Sequence, residues 1–169
     1  MELNIRAETQ ADHAAIEALT LVAFFRVAHS RHDEQQIIER LRADGALTLS
    51  LVVEHDGYIV GHVAVSPLQL SDGSRGWYAL GPLSVGPGHQ RQGLGTRLVR
   101  EALAQLQVLG AAGCVVLGEP AFYARFGFAP EPGLVLPGVL AGDFQAIGFG
   151  DRLPPVAEAE YHDAFLVGG

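Results

Sequence analysis

The 169-residue sequence contains no lysine, one cysteine, one methionine and one tryptophan. Arginine is the only strong base, so 11 basic side chains face 19 acidic ones and the formal net charge is −8. That balance argues against non-specific binding to nucleic acid or to an anionic membrane, both of which need clustered cations. One cysteine, Cys114, cannot form an internal disulfide, and the opening MELNIRAE lacks the apolar stretch of a secretory signal. A reducing cytoplasm is the expected compartment. Long apolar runs are also scarce. The uncharged residues 102–118 hold Gln105, Gln107 and a break between Gly110 and Gly113, which reads as helix, turn and strand instead of a membrane span.

What is present is apolar and glycine-rich: 49% hydrophobic residues and 21 glycines, enough to bury a sizeable core. Leu3 and Ile5 alternate with polar neighbours in a short opening strand. Thr9 followed by Asp12 is a box-like start for a helix carrying Ile16, Leu19 and Val22, expected to end near Val27. A second helix is expected over residues 33–43, with Ile37, Ile38 and Leu41 on one face and Gly45 as its stop. The segments LTLSLVVE, YIVGHVAVSPLQL and WYALGPLSV, separated by turns at Asp56-Gly57 and Ser71-Asp72-Gly73, read as an antiparallel meander. After Gly86 comes a long helix with Leu94, Leu98, Ala102 and Leu106 on one face, then a strand at residues 114–117 buried on both sides. Strand, Gly-rich loop, helix and strand in that order make a βαβ unit, so a parallel pair is expected. Residues 121–125 give one or two helical turns stopped by Gly127, and short strands are expected around Leu134 and over residues 144–149. No repeat and no long linker divides the chain, which reads as one domain over residues 1–169.

The stretch Gln90-Arg91-Gln92-Gly93-Leu94-Gly95 joins a strand to the first turn of a helix. Free backbone N–H groups and the helix dipole make such a turn an anion site. Gly93 and Gly95 clear side chains from the approach, and Arg91 and Arg97 add positive charge; a pyrophosphate fits, as does a plain structural connector. A dinucleotide fingerprint fails, because Leu98 stands at its third glycine and Cys114 about where its acid should be. A nucleoside triphosphate loop fails for want of Gly-Lys-Ser or Gly-Lys-Thr.

These residues resemble the GCN5-related N-acetyltransferase (GNAT) superfamily, whose signature is a Q/R-x-x-G-x-G/A loop between its fourth strand and third helix. QRQGLG fills every fixed position, LGPLSV and GPGHQ precede it as expected, and AFYARFGF supplies a second motif after the next strand. The match is close over residues 80–128. The strands GHVAVSPL and LGPLSV and the C-terminal YHDAF look more loosely like a bacterial subgroup of small predicted acetyltransferases. The resemblance implies an α/β, single-domain acyl-CoA N-acyltransferase fold: a mixed, mostly antiparallel sheet, helices on both faces and a splayed parallel strand pair.

The resemblance also implies that acetyl-CoA is the co-substrate. The amides of Arg91, Gln92, Gly93, Leu94, Gly95 and Thr96, with Gln90 opening the loop, would receive the pyrophosphate. The backbone of Leu83, Ser84 and Val85 would pair with pantetheine as an added strand, past a splay expected at Gly86-Pro87. Tyr123 matches the tyrosine that commonly serves as general acid toward the departing thiolate, although its aromatic neighbours would also suit a packing role. Candidates for the general base are Glu119, which could equally cap the following helix, His62 in a strand, Glu34 at a helix start, or a water chain. Gly118-Glu119-Pro120 replaces an asparagine that many members use on pantetheine, which puts one cofactor contact in doubt.

A cluster of His29, His32, Asp33 and Glu34 crosses a joint between helices and lacks a convincing third ligand elsewhere, so no metal is expected. Cys114, among apolar residues, reads as a small hydrophobe. The expected reaction is acetyl transfer to a primary amine of a small molecule or peptide by direct attack on the thioester. The alternative is a non-catalytic acyl-CoA sensor or interaction module. The apolar C-terminal part could cover a second copy, giving a homodimer.

Overall fold

The computed structural model describes residues 2–27 and 30–166; His29 of the proposed cluster lies outside them. In chain order the elements are β1 (Leu3–Ala7), α1 (His13–Phe24), α2 (Glu34–Ala43), β2 (Leu49–His55), β3 (Tyr58–Leu70), β4 (Trp77–Val85), α3 (Leu94–Val108), β5 (Gly113–Leu117), α4 (Pro120–Tyr123), β6 (Ala129–Pro130), β7 (Leu134–Val135), β8 (Phe144–Gly148) and β9 (Ala157–Tyr161), with short 3-10 turns between some of them. The sheet runs in the order β1-β2-β3-β4-β5-β8-β6, and β9 pairs with the far end of β3 and with β7. Along that main path every pairing is antiparallel except β4 with β5.

Alternation along the strands decides which helix each side chain meets. Leu51, Val53, Val63 and Val65 pack with Leu94, Leu98, Ala102 and Leu106 of α3. Their neighbours Val52 and Ala64 point the other way, onto Ile16 of α1 and Ile38 of α2. Helices therefore cover both faces, which is why these strands read as nearly continuous apolar runs. Each such Leu, Ile or Val contributes roughly 1.5–3 kcal/mol by leaving water.

Two expectations need correction. The first helix stops at Phe24 instead of near Val27: Phe25 is 71% exposed, so the apolar run continues past the point where the helix has a core to cover. More consequentially, β4 and β5 do not part at Gly86-Pro87. Their pairing holds only for Trp77, Tyr78 and Ala79 against Gly113, Cys114 and Val115. Just beyond, the β3–β4 register moves from Val65↔Leu80 to Val63↔Leu83, which leaves one extra residue on β4. A bulge of this kind bends its strand, and Pro82 within it has no N–H to offer a neighbour. The splay thus opens at residues 80–82. Leu83, Ser84 and Val85 stay hydrogen-bonded to β3 on one side and present an unpaired edge on the side facing away from it.

β9 was not anticipated as a strand. Its sequence AEAEY alternates small and acidic residues behind two prolines, and its pairing is supplied by β3 and β7. Among the described residues no helix is long and apolar enough to cross a membrane.

Candidate active site

The loop before α3 adopts the shape an anion needs. Arg91 and Gly93 both take left-handed backbone conformations, φ 64° and 79°. The helix starts at Leu94 with no side chain capping it. Among the described residues, the amides of Arg91, Gln92, Gly93, Leu94, Gly95 and Thr96 find no backbone acceptor, so six donors at a helix N-terminus remain free for a ligand. Arg91, Gln92 and Gly93 are exposed. Gln90 folds back, its Nε2 donating to the Val85 carbonyl over 3.4 Å. Arg125 also approaches from the other side: its Nη1 donates to Thr96 Oγ1 over 3.4 Å and its guanidinium lies 4.8 Å from the Phe122 ring centroid. The sequence reading missed this cation because it sits 29 residues from Thr96.

Gly95 ties the loop to the splay. A Cβ there would lie 3.6 Å from Phe122 and 3.8 and 3.9 Å from Val85 and Leu83. The free edge of β4, the loop and α4 therefore converge on one point. From it opens a cavity of about 960 Å³, walled by Leu80, Gly81, Pro82 and Leu83 on one side and by Gly118, Glu119, Phe122 and Tyr123 on another.

Tyr123 is 9% exposed and is wedged among Phe122, Phe126 and Phe128, with ring centroids 4.9, 6.4 and 5.8 Å away. Burial, with a smaller effect from the nearby Cys114 thiol, pushes its pKa up to about 12, so it keeps its proton at neutral pH. The aromatic cage fixes the ring on the cavity wall. Cys114 is fully buried, and burial holds its thiol protonated far above the usual range, which rules it out as a nucleophile.

Residues 13–128 match the acetyltransferase (GNAT) family. This chain belongs to that family. A relative in Escherichia coli K12, the uncharacterized N-acetyltransferase YhbS, is 40% identical over 125 residues, 73% of this chain and 72% of its own length. The crystal structure of a GNAT family acetyltransferase from Brucella melitensis in complex with acetyl-CoA superposes with a TM-score of 0.86, at 44% identity, covering 97% of this chain and 98% of that one. The Escherichia coli YhbS structure in complex with CoA gives a TM-score of 0.89 at 35% identity, covering 100% and 94%. The mixed, mostly antiparallel sheet, with β4 and β5 parallel and helices on both faces, is the fold shared with these neighbours.

In this acetyltransferase the three protein candidates for a general base fall in different places. Glu119 is exposed on the cavity wall; its carbonyl accepts the Phe122 and Tyr123 amides, but its carboxylate makes no capping bond. Glu34 also lines the cavity, and both of its oxygens accept the Ser30 hydroxyl, at 2.8 and 2.6 Å. His62 is fully buried and is not on the wall. Its Nε2 lies 2.8 Å from Ser50 Oγ, which in turn meets Glu8, the partner of Arg42 and His13. Burial, only partly offset by Glu8, drives the His62 pKa down to about 4, so the ring is neutral. The Ser84 side chain, opposite His62 in register, is buried on that face as well, so Ser84 offers the splay only its backbone.

The rest of the cavity comes from segments outside the QRQGLG and AFYARFGF motifs. Phe24 contributes from α1, Arg31 and Asp33 from the segment leading into α2, Ile37 from α2, Leu136 and Val139 from the loop after β7, and Glu160, Tyr161, His162 and Phe165 from the C-terminal part. Among the described residues no group of three His, Cys, Asp or Glu side chains could hold a metal ion.

Proposed function

We propose that this acetyltransferase moves an acetyl group from acetyl-CoA to a primary amine by direct attack of the amine on the thioester, within one domain spanning residues 1–169. One observation carries the reading: Tyr123, held protonated by its aromatic cage, stands on the cavity wall where the free β4 edge, the donor-rich loop and α4 converge. The relatives that hold acetyl-CoA and CoA support it.

Acetyl-CoA supplies the activated acyl group. The residues present fit it: six free amides and Arg125 suit a pyrophosphate, and the open edge of Leu83, Ser84 and Val85 suits the amide-bearing pantetheine arm as an added strand. As the N–C bond forms and the C–S bond breaks, Tyr123 donates its proton to the departing sulfur. Glu119, whose carboxylate is neither capping the helix nor buried, takes up the proton released by the amine, directly or through water. Glu34 is already engaged by Ser30, and His62 has no access to the cavity. No covalent enzyme intermediate is needed, in keeping with the inert Cys114.

The test is steady-state release of free thiol from acetyl-CoA with and without added primary amine, in wild type and in Glu119→Gln. Amine-dependent release, with kcat lowered in Glu119→Gln and KM for acetyl-CoA little changed, is expected. Release that ignores the amine would reject transfer, and an unchanged kcat would reject Glu119.

A further inference from the structure

The cavity passes through the sheet. Tyr123 belongs to the core on the α3 side, whereas Asp33 and Ile37 come from α2, on the opposite face. The opening between β4 and β5 connects the two. With the phosphate loop at the start of α3, the α2 end is left for the acceptor.

Asp33 there is an anomaly. It stands at the N-cap of α2, where aspartate ordinarily accepts an amide of the first turn, yet its side chain makes no such bond. It is 8% exposed, it lines the cavity, and one carboxylate oxygen is buried without a hydrogen-bond partner among the described residues. Arg31 lines the same cavity, but among the described residues no ion pair involves Asp33. A buried carboxylate oxygen left unpaired is costly, and a cationic donor brought by a ligand removes that cost. The other charged groups on the wall are Glu34, Glu119 and Glu160 against Arg31 and His162, an excess of acid. Apolar side chains, among them Phe24, Ile37, Leu136 and Val139, fill the wall between.

We infer that the acceptor is an aliphatic diamine: Asp33 holds one end as an ammonium while the other end reaches the thioester beside Tyr123. This rests on the acetyl-transfer reading above and deepens it. The methylenes lie along the apolar wall, and selectivity comes from the charge at the α2 end.

The test compares α,ω-diamines from propane to octane with monoamines of matching length, at saturating acetyl-CoA. For the chain length that spans the cavity, kcat/KM for the diamine should exceed that of its monoamine by about tenfold or more, the scale of a hydrogen bond to a charged group. Asp33→Asn should remove that preference by raising KM for the diamine, so that the diamine and the monoamine of that length become equivalent. Equal kcat/KM for both series in wild type, or a preference that survives Asp33→Asn, overturns the inference and leaves acetyl transfer standing. If no amine is turned over, calorimetric titration of the same diamines into the CoA-loaded protein decides. Binding that depends on Asp33 upholds the diamine site while rejecting catalysis, and absent binding overturns it. Should Asp33→Asn fail to fold, the wild-type comparison of the diamine with the ω-amino acid of equal length replaces it: the carboxylate-bearing analogue must bind worst.

Discussion

The loop over residues 90–96, proposed to take the pyrophosphate, and the wall around Asp33, proposed to take the acceptor, are built on different physics. The loop works with backbone: six amides, a helix start and two left-handed residues, all consecutive in the chain. The Asp33 wall works with side chains gathered from α1, α2, the loop after β7 and the C-terminal part, most of them apolar. A backbone site tolerates changes of side chain unless they intrude, so it serves a ligand that stays the same. A side-chain wall is retuned by single substitutions, which suits the acceptor end proposed for it. The splay at residues 80–82 lets one cavity join the two.

The contrast can be broken most severely at the junction. Tyr123→Phe keeps the aromatic cage and removes the proton donor, so kcat should fall by about 10²–10⁴ while KM for acetyl-CoA changes little. Unchanged turnover in steady-state assays would remove Tyr123 from the chemistry. On the loop side, Gly95→Glu places a side chain and a negative charge where the β4 edge, Phe122 and the free amides meet, at a glycine whose φ is not left-handed. Affinity for acetyl-CoA should drop roughly a hundredfold, the loss of two charge-assisted contacts, with little change in melting temperature. Gly93→Glu is the poorer probe, since φ 79° adds backbone strain to any side chain.

Acid should loosen the α1–α2 side that bears the Asp33 wall. The His62 pKa is about 4 in the fold against about 6.5 unfolded, so its contribution is complete above pH 6.5 and is lost as pH falls toward 4. That amounts to on the order of 3 kcal/mol. Burial works against the Glu8 carboxylate, but hydrogen bonds from Arg42 and Ser50 outweigh it and hold its pKa below the usual value, so its share is lost only at lower pH. Urea melts of wild type and His62→Gln between pH 7 and pH 4 separate them; equal slopes would show that His62 carries no such linkage. Smaller again is Gly113→Ala. A Cβ there would lie 2.4 Å from the Trp77 ring and 2.5 Å from the Ile147 carbonyl, in the short stretch where β4 and β5 still pair. A loss of about 1–3 kcal/mol is expected, and a melting temperature equal to wild type would mean that the pair yields there freely.

The same contrast explains what could be read from the sequence. Strands β3 and β4 are legible end to end because their turns are marked by Asp-Gly pairs and their runs are mostly apolar. The loop was legible because its chemistry is local. The position of the splay was not, since a bulge depends on the register against β3, which the residues 80–82 do not announce alone. In the sequence Asp33 stands out only as a neighbour of His32 and Glu34; the helix it opens packs Ile37 and Leu41 against Ala164, more than a hundred positions away, and no local pattern announces that. Tyr161 was quoted within YHDAF, yet its hydroxyl lies buried without a partner on the cavity wall because β9 joins β3, a pairing that AEAEY does not suggest.

The most direct check on acetyl-CoA binding by this loop is the melting temperature with acetyl-CoA, ATP or NAD at a hundredfold excess over the acetyl-CoA dissociation constant, in wild type and in Gly95→Glu. Binding at that level stabilises the fold by about 2.7 kcal/mol, a rise of roughly 5–10 °C for a chain of this size. A rise with acetyl-CoA alone, abolished in Gly95→Glu, is the predicted result; no rise, or an equal rise with ATP or NAD, would contradict it.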